Sequence, residues 1–279
     1  MKQLLGAVIV VLLVAVPAAA DLPILHDGEA PQVGHERIYG QTAIPVYRYD
    51  ILKTYDHDTA DYTEALFMND GHLFEGTGQY GKSRLKTWDL ETGEVIRQRE
   101  LDDRYFGEGA VALNGVLYQL TYISNIAFTY RADDLTPTES FRYLHQGWGL
   151  TTDGEHLIMS DGSAAILFIE PDDMGVHRHI IVHDAYSEVG FLNELEYVDG
   201  DIYANIWQTD YIVRFSAETG EVNGWVDLTG LNPDPKTLVY PHVLNGIAYT
   251  GEPGTLLVTG KNWPNLWHIR LTPVANTDP

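Results

Sequence analysis

The chain has 279 residues, no cysteine, and 40 acidic against 17 basic residues, for a formal net charge of −23. So negative a surface repels nucleic acid and anionic lipid and attracts cationic groups only weakly, and its first consequence is solubility. Without cysteine there is neither a disulfide framework nor a cysteine-linked lipid anchor, so the core alone must hold the fold.

From the N terminus, Lys2, the apolar run from Leu4 to Val16 and the small residues Pro17-Ala18-Ala19-Ala20 read as a secretory signal over residues 1–20, cleaved before Asp21. The run is too short for a membrane anchor, and no other stretch is long and apolar enough to span a bilayer. The expected mature chain is one domain, 21–279, secreted or periplasmic. Residues 21–35 carry Pro and Gly and read as a flexible lead-in. Pro45 to Tyr55 then alternates as an extended segment.

Beyond it, short alternating runs such as Val116-Leu117-Tyr118-Gln119-Leu120 and Ile202-Tyr203-Ala204-Asn205-Ile206 are separated by Gly, Asn and Asp, the pattern of strands joined by hairpins. A turn followed by a strand recurs at Gly71, Gly115, Gly154, Gly200 and Gly254, with spacings of 44, 39, 46 and 54 residues. A period in the forties with several strands per repeat predicts propeller blades, and five repeats predict an all-β, five-bladed β-propeller. Asp89-Leu90-Glu91-Thr92-Gly93-Glu94-Val95 matches Ser216-Ala217-Glu218-Thr219-Gly220-Glu221-Val222, each the expected turn between the third and fourth strands of a blade. The last repeat stops one strand short. The segment from Pro45 to Tyr55 is therefore expected to join the last blade and close the ring, which removes an exposed sheet edge.

Several segments go beyond a generic propeller. They are Phe106-Gly107-Glu108-Gly109, the run from Gly147 to Gly154, Ser160-Asp161-Gly162-Ser163, Leu192-Asn193-Glu194-Leu195-Glu196-Tyr197, the run from Ala204 to Asp210, Leu244-Asn245-Gly246-Ile247-Ala248-Tyr249, and Val258-Thr259-Gly260-Lys261 with Trp263-Pro264. In this order and at this spacing, from about Tyr62 to Leu271, they resemble the plant and bacterial glutaminyl cyclases, five-bladed propellers unrelated to the zinc-dependent animal enzymes. The resemblance implies a cofactor-free, metal-independent monomer that closes the N-terminal glutamine of peptides or proteins to pyroglutamate and releases ammonia.

The same resemblance implies roles for individual residues. Glu108 is the expected proton shuttle and Lys261 the cation near the scissile amide. Tyr62, Glu64, Tyr122, Trp148, Asn193 and Trp207 are the expected substrate contacts. Read from the residues alone, Glu108 between two glycines suggests a tight turn with close backbone approach, and its alternative is a solvated turn carboxylate. The alternatives for the tryptophans, Asn193 and Lys261 are core packing, a turn bond and a local ion pair. The chain departs from the family at Tyr62-Thr63-Glu64-Ala65-Leu66, where the family has Phe-Thr-Gln-Gly-Leu, and at Tyr122, often Trp. A carboxylate cannot donate as an amide does. If Glu64 lies beside Glu108, one of the two must hold a proton at neutral pH. The histidines form no helical metal signature, with His177 and His179 two apart on an expected strand and His145 and His268 isolated, so no metal centre is expected. Two other readings are a non-catalytic propeller that binds peptide N-termini or a protein partner, and a metal-dependent hydrolase or lactonase on the same fold.

Overall fold

The computed structural model describes residues 31, 33–41, 43–232 and 241–274. The expected signal segment lies outside them. Most of the expected lead-in, residues 21–30 and 32, also lies outside them, and the chain then forms a short helix that the sequence reading did not anticipate, α1 (His35–Tyr39). Ile38 is fully buried and Arg37 Nε reaches Asp184 at 2.7 Å, so the helix is held by tertiary contacts rather than by propensity.

Strand β1 (Val46–Asp56) follows. Three antiparallel sheets then form in chain order. They are β2 (Thr63–Asn69) with β3 (His72–Thr77), β4 (Arg84–Trp88) and β5 (Val95–Glu100); β6 (Gly107–Leu113) with β7 (Val116–Thr121), β8 (Ile126–Arg131) and β9 (Pro137–Arg142); and β10 (Leu150–Thr152) with β11 (Leu157–Ser160), β12 (Ala165–Ile169) and β13 (Val176–Ile181). The next run, β14 (Leu192–Val198), β15 (Asp201–Ile206), β16 (Tyr211–Ser216) and β17 (Val222–Asp227), continues through β1 into β20 (Asn265–Pro273), β19 (Thr255–Gly260) and β18 (Leu244–Tyr249). The five sequence repeats therefore meet three four-stranded sheets and one of eight strands.

The seam in the large sheet is narrow. β1 pairs in parallel with β17 only at Val46↔Trp225 and Tyr47↔Val226. Against β20 it pairs antiparallel along its length, from Tyr47↔Pro273 to Asp56↔Asn265. The N-terminal strand thus supplies the outer strand that the C-terminal repeat lacks, as the sequence predicts.

The turns explain the glycine period. Asp70-Gly71, Asn114-Gly115 and Asp199-Gly200 all have positive φ at both residues, the conformation that two-residue hairpins need and that Asx-Gly adopts at least cost. The first strands β2, β6, β10, β14 and β18 contact one another in a closed cycle. Apolar clusters fill the gaps between successive runs. One cluster joins Ala65 and Phe67 to Ala110 and Leu117, and another joins Leu66 and Leu73 to Ala248 and Leu257. Outer strands β5 and β9 are almost wholly exposed and carry the charge, whereas β12 is buried throughout and reads as the unbroken apolar run Ala165-Ile166-Leu167-Phe168-Ile169.

Candidate active site

Six of the eight predicted site residues fall on two structural positions that repeat around the cycle, while Tyr62 directly precedes β2 and Trp148 lies two residues before β10. One is the entry of a first strand, occupied by Glu64 on β2, Glu108 on β6, Asn193 on β14 and Asn245 on β18. At each of these the ladder slips, between Thr63/Ala65, Gly107/Ala110, Leu192/Leu195 and Leu244/Ile247. Such bulges take a residue out of register and re-aim its side chain. The other position directly follows a second strand, occupied by Gly78, Tyr122, Asp161, Trp207 and Lys261. In an antiparallel hairpin, entry to the first strand and exit from the second lie at the same end, so both sets line one mouth.

Glu108 does not sit in a tight turn. Gly107-Glu108-Gly109 is bulged strand, and its glycines answer to packing. A Cβ on Gly107 would lie 2.8 Å from Gln119 Nε2, and one on Gly109 would lie 2.5 Å from the Leu150 nitrogen. Gly78 matters in the same way, because a Cβ there would meet the Phe106 ring at 2.4 Å and Glu64 Cγ at 3.0 Å.

Glu64, Glu108 and Lys261 come together in the interior, with residue exposures of 1%, 6% and 4%. Lys261 Nζ donates to Glu64 at 2.7 Å and lies 4.7 Å from the centre of the Tyr62 ring. Asn245 Nδ2 donates to Glu64 at 3.1 Å and to the Thr63 carbonyl at 2.9 Å. The Glu64 charge acts on Glu108. Two carboxylates here share one lysine. Like charges away from water repel strongly, so with one lysine against them among the described residues one proton stays on the pair. Lysine and amide donors both favour charge on Glu64, which leaves the proton on Glu108. Burial, and next the Glu64 charge, push Glu108 well above the usual carboxylate range. Burial also raises Glu64, opposed by Lys261.

Aromatic rings flank this group. Phe106 packs edge-on to Tyr62 at 6.1 Å and lies 6.0 Å from Tyr122. Trp148 and Trp207 meet edge to face at 5.5 Å, and Phe191 stacks on Trp207. The Trp148 carbonyl accepts the Gly109 N–H, which ties the indole pair to the backbone next to Glu108. Asn193 joins through Ser160, whose Oγ accepts the Gly149 N–H and donates to the Asn193 carbonyl. Three buried asparagine atoms, Asn193 Oδ1, Asn245 Oδ1 and Asn205 Nδ2, have no hydrogen-bond partner among the described residues. A cleft of about 430 Å³ is lined by Ile123, Leu144, His145, Gln146 and Asp161 among others, and its Gln146 accepts the Trp148 indole N–H at 3.1 Å.

All eight predicted residues are thus linked at one mouth, and the sequence reading omitted two more. Asn245 stands at the position equivalent to Asn193, and Leu192-Asn193 against Leu244-Asn245 was its signal. Phe106, directly before Gly107, is the ring around which Tyr62, Tyr80 and Tyr122 gather. Two further acids, Glu194 and Glu196, serve the frame. Glu194 accepts the N–H groups of Leu66 and Ile247, and Glu196 accepts that of Tyr249, so β14 is tied to β2 and β18. Burial pushes Glu196 up to about 8, against the pull of the Tyr249 N–H.

A strand-built mouth with a proton-sharing glutamate pair, one buried lysine, paired indoles and unfilled amide groups has the groups to bind and rearrange a small amide. The chain belongs to the glutamine cyclotransferase family, which it matches over residues 24–271. It is 38% identical over 229 residues to an Arabidopsis thaliana protein named glutaminyl-peptide cyclotransferase, an alignment covering 80% of this chain and 71% of that one. The crystal structure of Myxococcus xanthus glutaminyl cyclase superposes with a TM-score of 0.77 and 32% identity, covering 83% of this chain and 99% of the other.

Proposed function

We propose that this protein is a glutaminyl-peptide cyclotransferase, which closes the N-terminal glutamine of a peptide to pyroglutamate with release of ammonia. The observation that carries this reading is the Glu64–Glu108–Lys261 group, which holds one proton too few for two neutral acids and one positive charge too few for two carboxylates.

The α-nitrogen attacks the side-chain amide of its own residue. Intramolecular attack in a well-oriented reactant reaches effective molarities of order 10⁵–10⁸ M, so what remains for the enzyme is to fold the side chain back and move protons. The arriving α-ammonium brings the positive charge that the pair lacks, which draws Glu108 down so that its resting proton passes to solvent and the carboxylate becomes a base. Glu108 then takes one ammonium proton. The freed amine forms the C–N bond to the amide carbon, and the carbonyl oxygen gains negative charge near Lys261. Glu108 returns its proton to the departing NH2 group, which leaves as ammonia as the old C–N bond breaks. The proton left over on the new ring nitrogen passes to solvent. We assign Asn193 Oδ1 to accept from the substrate's amide N–H2. Tyr62, Tyr122, Trp148 and Trp207 form the walls that exclude water. Glu64 takes the place of the family's Gln as the fixed negative partner of Lys261.

The same reading makes the eight-stranded sheet two blades bridged at the two-residue β1–β17 seam, five blades in all around one mouth. It makes residues 21–279 one monomeric domain, exported by the signal at 1–20 to the periplasm or beyond. None of the steps assigned calls on a metal, which argues against the hydrolase reading. An uncatalysed partner-binding role would leave the raised Glu108 without a purpose.

Incubation of purified protein with a peptide beginning in Gln tests the reading. The expected result is loss of the mass of ammonia, unchanged by chelator and absent when the peptide's N terminus is acetylated. No conversion above the buffer rate would overturn it.

A further inference from the structure

Away from this mouth, two histidines and a glutamate meet on one face of the sheet β10–β13. His156 directly precedes β11, Glu170 directly follows β12, and His177 lies in β13. The register brings them together. Leu157 pairs with Ile169, which sets His156 opposite Glu170. On the other side Phe168 pairs with Arg178 but Ile169 with Val176, so His177 is the extra residue of a bulge and is turned out of the ladder. One ligand-type atom from each of the three lies within 4.8 Å of the other two, and Glu170 already reaches His177 Nδ1 at 2.8 Å. The imidazole centres are 4.6 Å apart.

A second feature is independent of that proximity. Asp153 accepts the backbone N–H groups of Glu155 and His156 at 2.9 and 2.6 Å, and its other oxygen lies 3.2 Å from His156 Nδ1. The carboxylate is therefore fixed in place and, as an acceptor, favours the Nδ1–H tautomer of His156, in which Nε2 keeps its lone pair. A carboxylate orienting the far nitrogen of a ligating histidine is the usual support of a metal-bound imidazole. Phe168 packs edge-on to the same ring at 6.5 Å and limits its rotation.

We propose that His156, Glu170 and His177 form a surface site for a divalent transition cation, Zn²⁺ above all, with Asp153 as the orienting partner of His156. Two imidazoles and one carboxylate are a zinc donor set, with the fourth position left to water. The set lacks the six or more oxygens that Ca²⁺ requires. Zinc bonds of about 2.0–2.1 Å put tetrahedral ligand atoms roughly 3.3 Å apart. The side chains of His177 and Glu170 are about half exposed, at 49% and 48%, and have the freedom to close that distance. The ion would clip the β10–β11 turn to β12 and β13.

Among the described residues one other group has metal-ligating geometry, His57, Asp61 and Glu75, and it does not compete. Lys86 bonds both of its carboxylates, Arg84 bonds Asp61, and His57 Nδ1 faces the Trp263 carbonyl at 2.7 Å. Its positive charges are already in place.

The test is titration of the untagged protein with Zn²⁺, followed by calorimetry and by the imidazole NMR resonances. We expect one saturating site, with two histidine spin systems shifting ahead of the rest, assigned to His156 and His177 in the wild-type protein from their through-bond and through-space connections. Asp153→Asn should weaken binding by 10–100-fold, the effect typical of losing an orienting partner. His177→Ala should weaken it further, and Zn²⁺ should raise the melting temperature of wild type but not of His177→Ala. If the double variant His156→Ala/His177→Ala binds Zn²⁺ as wild type does, the proposal is wrong. It is equally wrong if the wild-type resonances of these two histidines do not move first, a readout that holds even where a variant fails to fold.

Discussion

Two buried clusters of lysine and carboxylate lie side by side at the start of the β2–β5 sheet, and they are balanced in opposite ways. In the first, Asp61 and Glu75 face Lys86, Arg84 and His57. Burial alone would raise Glu75, but the charges of His57 and Lys86 overcome it and hold its carboxyl down at about 2. In the second, Lys261 is the one cation that Glu64 and Glu108 face among the described residues, and Glu108 rises. The clusters nearly touch, since Thr63 Oγ1 donates to Glu75 at 2.8 Å and Glu64 is the next residue. Residue types and burial are alike. What differs is the number of positive charges per carboxylate. With a surplus, Glu75 is locked as an anion, while burial and the Glu75 charge raise Asp61 against the pull of Lys86 and Arg84. With a deficit, a proton remains in place that can be exchanged with a ligand.

Removing each lysine should separate the two. Lys261→Met strands Glu64 and Glu108 without a cation. We expect cyclisation to fall at least 100-fold and stability to drop by about 3 kcal/mol at neutral pH, as when one partner of a buried ion pair is lost. The loss of stability should shrink as the pH falls, because both carboxyls are raised above the usual range and stranded carboxylates take up protons. Lys86→Met still leaves Arg84 and His57 against Asp61 and Glu75, and kcat should stay within a few-fold of wild type. Equal kinetic damage from both would erase the distinction. Steady-state kinetics and chemical denaturation at two pH values decide it.

A smaller effect is expected from Glu64→Gln, which restores the family's residue. After burial, the Glu64 charge is the main influence raising Glu108. Without it the Glu108 carboxyl moves down. As the rate rises with ionisation of Glu108, the acid limb of the pH–rate profile for kcat/KM should move to lower pH, with the plateau preserved or raised. A limb that stays in place or moves up would show that the two acids do not share a proton.

Much of the frame is legible in the sequence because its turns need backbone conformations that few residues adopt. The Asx-Gly pairs at 70–71, 114–115 and 199–200 mark hairpins whatever surrounds them. The missing outer strand could be read from the early stop of the last repeat, and Pro45 to Tyr55 from its alternation. The site was legible where the family resemblance reached, and further where position in the repeat is considered, as Asn245 shows. The contacts that set its chemistry were not. Lys261 and Glu64 are 197 residues apart, and no local pattern announces their pairing. Bulges were equally hidden, so Gly107-Glu108-Gly109 read as a turn when its glycines in fact make way for neighbouring strands. The His156–Glu170–His177 group escaped for the same reason, because its ligands come from different strands and obey no spacing.

The central claim is that the carboxyl of residue 108 carries the proton between the attacking and departing nitrogens. The direct measurement is kcat for Glu108→Gln on a Gln-starting peptide, beside its melting curve. Gln is close in size and neutral, as the protonated acid is, so the fold should melt within a few degrees of wild type. The rate should fall by 10²–10⁴-fold, the usual worth of a positioned acid–base group. A folded Glu108→Gln protein that turns over at the wild-type rate would contradict the account.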